Sequence, residues 1–339
     1  MRRLSRSAAP AAAAIAVLLS HGPSAADPVA EFYHGKTINV LIGVGAGGEY
    51  DLQARLVARH IGRHIPGNPT VVAQNMTGAG GLKMLNYLYN VAPRDGTAIG
   101  MIQNAFPALQ TVGHAGVQFD AGRMNWLGSI APVVETMAVW HATGVKSVDD
   151  LRRRETIAGA SARGAITYFY PAMMNELLGT RFKIVTGYPG GNAINLALER
   201  GEVEARNNTW SSWKATRGAW LAERKIVVVA QAGPRAHDLD APSVEELARN
   251  ADDRRLIELV VSGTRLGRPM ATNADVPAER VAALRRAFAA TMKDPLFLAE
   301  AAKMSFEVDP VLGERMQEIV RSVLATPKPI AVRAKALLE

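Results

Sequence analysis

The chain has 339 residues, enough for two domains each with its own core, and 48% of them are hydrophobic, as in an ordinary folded protein. It has no cysteine, which excludes disulfides and a lipidated N-terminal cysteine. The formal charge is +8, but Lys and Arg are scattered apart from Arg152 to Arg154, which argues against a nucleic-acid partner.

Residues 1–26 have the pattern of an export signal. Arg2, Arg3 and Arg6 precede the apolar run AAPAAAAIAVLLS, which is too short to cross a bilayer, and small residues Ser24 and Ala26 follow. Cleavage is expected after Ala26. It would remove three arginines and no acid, taking the charge from +8 to +5. Export without a lipid anchor predicts a soluble periplasmic protein.

Strand and helix patterns then alternate. TINVLIGV predicts a buried strand, and Asp51 to Ile65 a helix with Leu52, Leu56, Val57 and Ile61 on one face. Arg55, Arg59 and Arg63 form a second stripe, expected to be solvated. PTVVAQN and TAIGMIQN are further strands, and TGAGG opens a helix over 82–90. This order predicts a parallel sheet with its loops gathered at one edge. In the middle, Ser147 with Asp150 three residues on predicts a helix start, and a helix ends at Gly179, with Pro171 a candidate for its first turn. TIAGAS, FKIVTGY, EVEARNN and KIVVVAQ are strands, separated by helices. After residue 240 the pattern is mainly helical, with Pro277 and Pro295 at helix starts. Two α/β units with glycine turns at their strand ends predict a ligand cleft between domains.

Gly43, Gly45 and Gly48 match G-x-G-x-x-G, the dinucleotide turn. A Rossmann site also wants an acid about 20 residues on, and no Asp or Glu lies between Asp51 and Asp95. Export argues against nicotinamide cofactors too, so no cofactor is expected. A glycine turn entering a helix still offers backbone N–H groups to an anion, and a carboxylate suits it as well as a phosphate. GAGGEYD and TGAGGL could grip one carboxylate from two sides.

At these residues the chain resembles the extracytoplasmic solute receptors of tripartite tricarboxylate transporters, the Bug-type receptors. The resemblance runs from about Phe32 to Val320 and is carried by GAGGEYDLQARLVARHI, PTVVAQNMTGAGGL, NYLYNVAPRDGTAIGMI, YPGGNAINLALERGEVEA, LDAPSVEEL and VPAERVAALRRAFAATMKDP in that order. It implies a type II-like, two-domain periplasmic binding protein, each domain a mainly parallel sheet flanked by helices. Residues 27–134 plus 232–339 would form one domain and 135–231 the other, with hinges near Ala131 to Thr136 and Val229 to Gly233. It implies a monomer that delivers a small organic acid to a membrane permease with one large and one small integral subunit. The ligand-binding residues implied are Gly45, Ala46, Gly47, Gly48, Glu49, Tyr50 and Asp51 of the first loop and Thr77, Gly78, Ala79 and Gly80 of the second. Asn104, Ser161, Arg163, Gly164, Tyr168, Tyr188, Asn207 and Asn208 complete the set.

Asp51 would either shape its loop through backbone N–H groups or simply cap the helix. Arg163 stands in a third loop, GASARGAITYFYP, where it would clamp a second carboxylate or be solvated. Asn208 stands where the family often has an amine-binding aspartate, which points to an acid without an amine. Tyr168 and Tyr188 are the aromatic candidates to face an apolar or aromatic ligand body. His60 and His64 are spaced as in a zinc helix but lack the intervening Glu and a third ligand, so both are expected to be solvated. The alternative to a receptor is a secreted α/β hydrolase using Ser161, although GASARG is not G-x-S-x-G.

Overall fold

The computed structural model describes residues 27–337. The expected export leader lies outside the described residues. The first part of the chain forms α1 (Pro28–Tyr33), β1 (Thr37–Ile42), α2 (Glu49–Ile61), β2 (Thr70–Asn75), α3 (Leu82–Asn90), β3 (Ala98–Met101), α4 (Phe106–Thr111) and β4 (Asn125–Ser129). The middle forms β5 (Glu135–Trp140), α5 (Val148–Arg153), β6 (Thr156–Gly159), α6 (Ile166–Leu178), β7 (Phe182–Val185), α7 (Gly191–Glu199), β8 (Ala205–Thr209), α8 (Trp210–Ala222) and β9 (Ile226–Ala232). The remainder forms α9 (Ala251–Val260), β10 (Met270–Thr272), α10 (Ala278–Thr291), α11 (Pro295–Lys303), β11 (Val311–Leu312), α12 (Gly313–Leu324) and α13 (Lys328–Ala336).

These strands make two sheets flanked by helices. The first has the order β11-β4-β10-β3-β1-β2 and the second β7-β6-β8-β5-β9. β1 pairs in parallel with β2 and β3, and β6 with β7 and β8, as the strand–turn–helix repeats require. Both sheets are nonetheless mixed rather than mainly parallel. β10 lies antiparallel between β3 and β4, and β5 antiparallel between β8 and β9. Strands β4, β5 and β10 carry no glycine turn into a helix, so the βα pattern did not reveal them.

Local sequence explains the helix ends. The Ser147 and Asp150 side chains cap α5 reciprocally. Gly179 ends α6 in the left-handed region (φ 70°), where a side chain would be strained. Asp294 caps α11, with Pro295 as its first residue, and Pro277 immediately precedes α10. Pro171 lies inside α6 rather than in its first turn, because the helix begins five residues earlier.

The arginine stripe and the histidines of α2 and of the turn that follows it are not simply solvated. Arg59 and His60 both reach Glu300, at 2.6 Å each, and His64 reaches Asp294 at 2.9 Å. They tie α2 to α11 and its cap. His60 is 6% exposed. The largest hydrophobic cluster runs from the first sheet to the second, including Leu85, Phe106, Met137 and Phe169. Helix α9 packs on both α6 and α13. No described helix is long and apolar enough to cross a membrane.

Candidate functional site

Two glycine loops meet backbone to backbone at the end of β1. A Cβ on Gly43 would stand 2.9 Å from the Gly81 Cα, so the first glycine of G-x-G-x-x-G serves close packing of the loops. Asp51 shapes the first loop. Its carboxylate accepts from the Gly47 N–H at 3.0 Å, the Asn75 amide at 2.9 Å and the Arg55 Nε at 2.9 Å. Burial pushes the Asp51 pKa up, but those donors bring it below the usual carboxylate value.

The tips of the loops close against the second sheet. The Gly45 N–H donates to the Pro189 carbonyl at 2.9 Å. A Cβ on Gly80 would lie 3.0 Å from the Ala162 Cβ, and one on Gly164 2.9 Å from Leu109. Beneath this contact lies a cavity of about 60 Å³, room for a few water molecules. Its wall includes Gly48, Glu49 and Tyr50 from the first loop, Ser161 from the loop after β6, and Arg206, Asn207 and Asn208 from β8.

A buried polar network crosses between the sheets here. The Arg268 Nη2 donates to Glu49 Oε2 at 2.6 Å and to the Thr209 hydroxyl at 2.8 Å. Thr209 also donates to Glu49 Oε2, and Ser211 and Gln53 donate to Oε1 at 2.6 and 3.0 Å. Thus a carboxylate at the start of α2 is held by hydroxyls from the end of β8 and the start of α8. The Arg268 guanidinium lies 4.2 Å from the Tyr50 ring centroid, a cation–π contact. The Tyr50 hydroxyl donates to Asn104 Oδ1 at 3.1 Å and accepts from the Asn104 N–H at 3.0 Å.

A second cluster surrounds Glu135. Asn207 Nδ2 donates to Glu135 Oε2 at 3.0 Å. Burial pushes the Glu135 carboxyl above its ordinary pKa, although Arg268 and the Asn207 bond oppose this. Arg206 Nε donates to the Asn207 carbonyl, and its Nη1 to the Gly191 carbonyl and Asn195 Oδ1. Burial lowers its pKa to about 9. Burial also tends to lower that of Arg268, but Glu49, Tyr50 and Glu135 together raise it further. Several buried polar atoms of this wall have no partner in the protein: Arg268 Nε and Nη1, Asn208 Nδ2, Glu135 Oε1 and Asn207 Oδ1.

The expected site is therefore only partly assembled around the cavity. Gly48, Glu49, Tyr50, Ser161, Asn207 and Asn208 line it. Asn104 lies behind Tyr50. Gly45, Gly47 and Asp51 build the loop, whereas Ala46, Thr77, Gly78 and Ala79 are exposed at the loop tips. Gly80 and Gly164 are contact points between the two halves. Arg163 is exposed, 5.4 Å from the Tyr168 ring centroid, and does not line the cavity. Tyr168 and Tyr188 pack against hydrophobic clusters instead of the cavity. The arginines at the cavity are Arg206 and Arg268. Arg268 sits in a stretch without a motif. Glu135 had one faint signal, a lone acid in the apolar run of PVVETMAVW.

Ser161 shares a hydrogen bond with the Thr167 hydroxyl at 3.2 Å. No described histidine bonds it, so the nucleophile–base contact of a hydrolase is not made.

No protein-family model matches the chain, and neither does any curated protein sequence. Solved structures do resemble it. The periplasmic binding protein BugD superposes with a TM-score of 0.72 at 19% identity, covering 90% of this chain and 98% of that one. The R. palustris protein Rpa4515, solved with adipate, gives 0.69 at 18% identity over 89% and 97%. MatC from Rhodopseudomonas palustris, solved with bound malate, gives 0.68 at 15% identity over 90% and 99%. At these identities the likeness is one of fold: this chain has the two-domain fold of periplasmic binding proteins.

Proposed function

We propose that the chain is a periplasmic solute-binding receptor of the tripartite tricarboxylate transporter type. It captures a small organic carboxylate between its two sheets and hands it to a membrane permease with one large and one small integral subunit. The observation that carries this reading is the inter-sheet cavity with unpaired, buried N–H groups of Arg268 and Asn208 in its wall. A guanidinium offers a carboxylate short, charge-assisted hydrogen bonds, and burial strengthens them. The adipate and malate bound to proteins of the same fold agree in chemistry.

Binding would close two lobes, residues 27–134 plus 232–339 against residues 135–231. The crossings follow β4 and β9, two narrow connections of the hinge kind. In this reading the structure is the closed form, held by Glu49 with Thr209 and Ser211 and by Gly45 with Pro189. The protein binds and releases its ligand without chemistry.

Thermal melts with mono-, di- and tricarboxylates test the assignment. A ligand at about 100 times its dissociation constant adds roughly 2.7 kcal/mol to stability, a shift of several degrees. A melt that no organic acid moves would overturn it.

A further inference from the structure

The charges around the cavity cancel. Arg206 and Arg268 face Glu49 and Glu135, and none of the four is more than 4% exposed. Glu49 is spent, with both oxygens bonded within the protein. Arg206 bonds neutral oxygens through its Nε and Nη1. What remains unpaired is of two opposite kinds. Arg268 Nε and Nη1 and Asn208 Nδ2 are donors, while Glu135 Oε1 and Asn207 Oδ1 are acceptors. The two acceptor side chains are adjacent, since Asn207 bonds the other Glu135 oxygen.

A ligand that offers only carboxylates satisfies the donors but turns a like charge toward Glu135. It also adds net negative charge to an enclosure already balanced, and uncompensated buried charge is costly. A ligand with one carboxylate and one ammonium adds none and meets both kinds of unpaired group.

We propose that the ligand is a small, net-neutral amino acid, its carboxylate held by Arg268 and Asn208 and its ammonium by Glu135 and Asn207. This rests on reading the cavity as a carboxylate site. It reverses the expectation drawn from Asn208. The acid missing from β8 is supplied by the neighbouring strand, where Glu135 pairs in register with Thr209 and Thr136 with Asn208.

The groups facing Glu135 are Arg268, Glu49, Tyr50 and Asn104 from the first lobe and Arg206, Asn207 and Tyr170 from the second. A bound ammonium requires Glu135 ionised. Affinity for an amino acid therefore falls as the pH drops through the raised Glu135 range, whereas a plain acid would bind better there.

Titration calorimetry on the purified protein tests this with L-alanine, 3-aminopropanoate and 4-aminobutanoate against propanoate, butanoate and succinate. At least one amino acid should bind about tenfold or more tighter than its amine-free counterpart, and Glu135→Gln should bring that ratio to about one. Amine-free acids binding as tightly as amino acids would overturn the inference and leave the carboxylate receptor standing. No binding in either series would overturn both. The ligand comparison is made on the unaltered protein, so it decides the matter even if Glu135→Gln fails to fold.

Discussion

Replacing Arg268 by Met removes the cation from a buried pair while keeping much of its volume. Glu49, 3% exposed, is then left with its charge and three neutral donors, from Gln53, Thr209 and Ser211. Breaking a buried ion pair from one side costs roughly 3–5 kcal/mol, and the three remaining donors put this case near the lower end, about 3 kcal/mol. Unfolding entropy of roughly 2.1 cal/mol/K per residue amounts to about 0.65 kcal/mol/K for a chain of this size. The melting midpoint at neutral pH should therefore fall by about 5 °C in calorimetry. Adding Glu49→Gln removes the stranded charge and should recover more than half of the loss. A midpoint for Arg268→Met within about 1 °C of the unaltered protein would refute the argument that Glu49 is a buried, charge-compensated group.

Other perturbations probe separate parts of the structure. Gly43→Ala forces a methyl to 2.9 Å from the Gly81 backbone; it should cost about 1–3 kcal/mol in urea unfolding, and an unchanged midpoint would show that the glycine loops can part freely. Thr209→Val with Ser211→Ala deletes both hydroxyls that reach Glu49 from the second lobe, so small-angle scattering should report a larger radius of gyration; an unchanged radius would mean that the latch does not hold the lobes. Asp253 is buried between Arg333 at 2.7 Å and Arg249 at 3.4 Å; burial pushes its pKa up, but the arginines bring it below the usual value. Its stabilising effect is thus present above the ordinary carboxylate range and lost as pH falls through the depressed pKa. Asp253→Asn should lower the melting midpoint at neutral pH, and the gap should close in acid; a gap that persists there would contradict the pairing.

Much of the architecture was legible because it is written locally. The buried run of β1, the glycine turn and the amphipathic stretch of α2 sit side by side in sequence, as do the capping box of α5 and the glycine that ends α6. Asp51 could be read as a loop-shaping residue or a plain cap, and its bonds to Gly47 and Asn75 decide for the first. The strands β5 and β10 escaped because their partners are distant in sequence and antiparallel. Arg163, Tyr168 and Tyr188 lie near the right loops but do not line the cavity: Arg163 is exposed beside the Tyr168 ring, and both tyrosines pack against hydrophobic clusters.

By itself, then, the sequence determined the alternation of strands and helices and the two glycine loops at the strand ends. Those features depend on periodicity, capping and backbone freedom within a few residues. Only the tertiary structure decided the electrostatics of the cavity. Glu49, Glu135, Arg206 and Arg268 are far apart in the chain, and their charges matter only because folding removes them from water together. Glu135, placed beside Asn207 by the β5–β8 pairing, turns an acid-only reading of the ligand into one that asks for an ammonium as well.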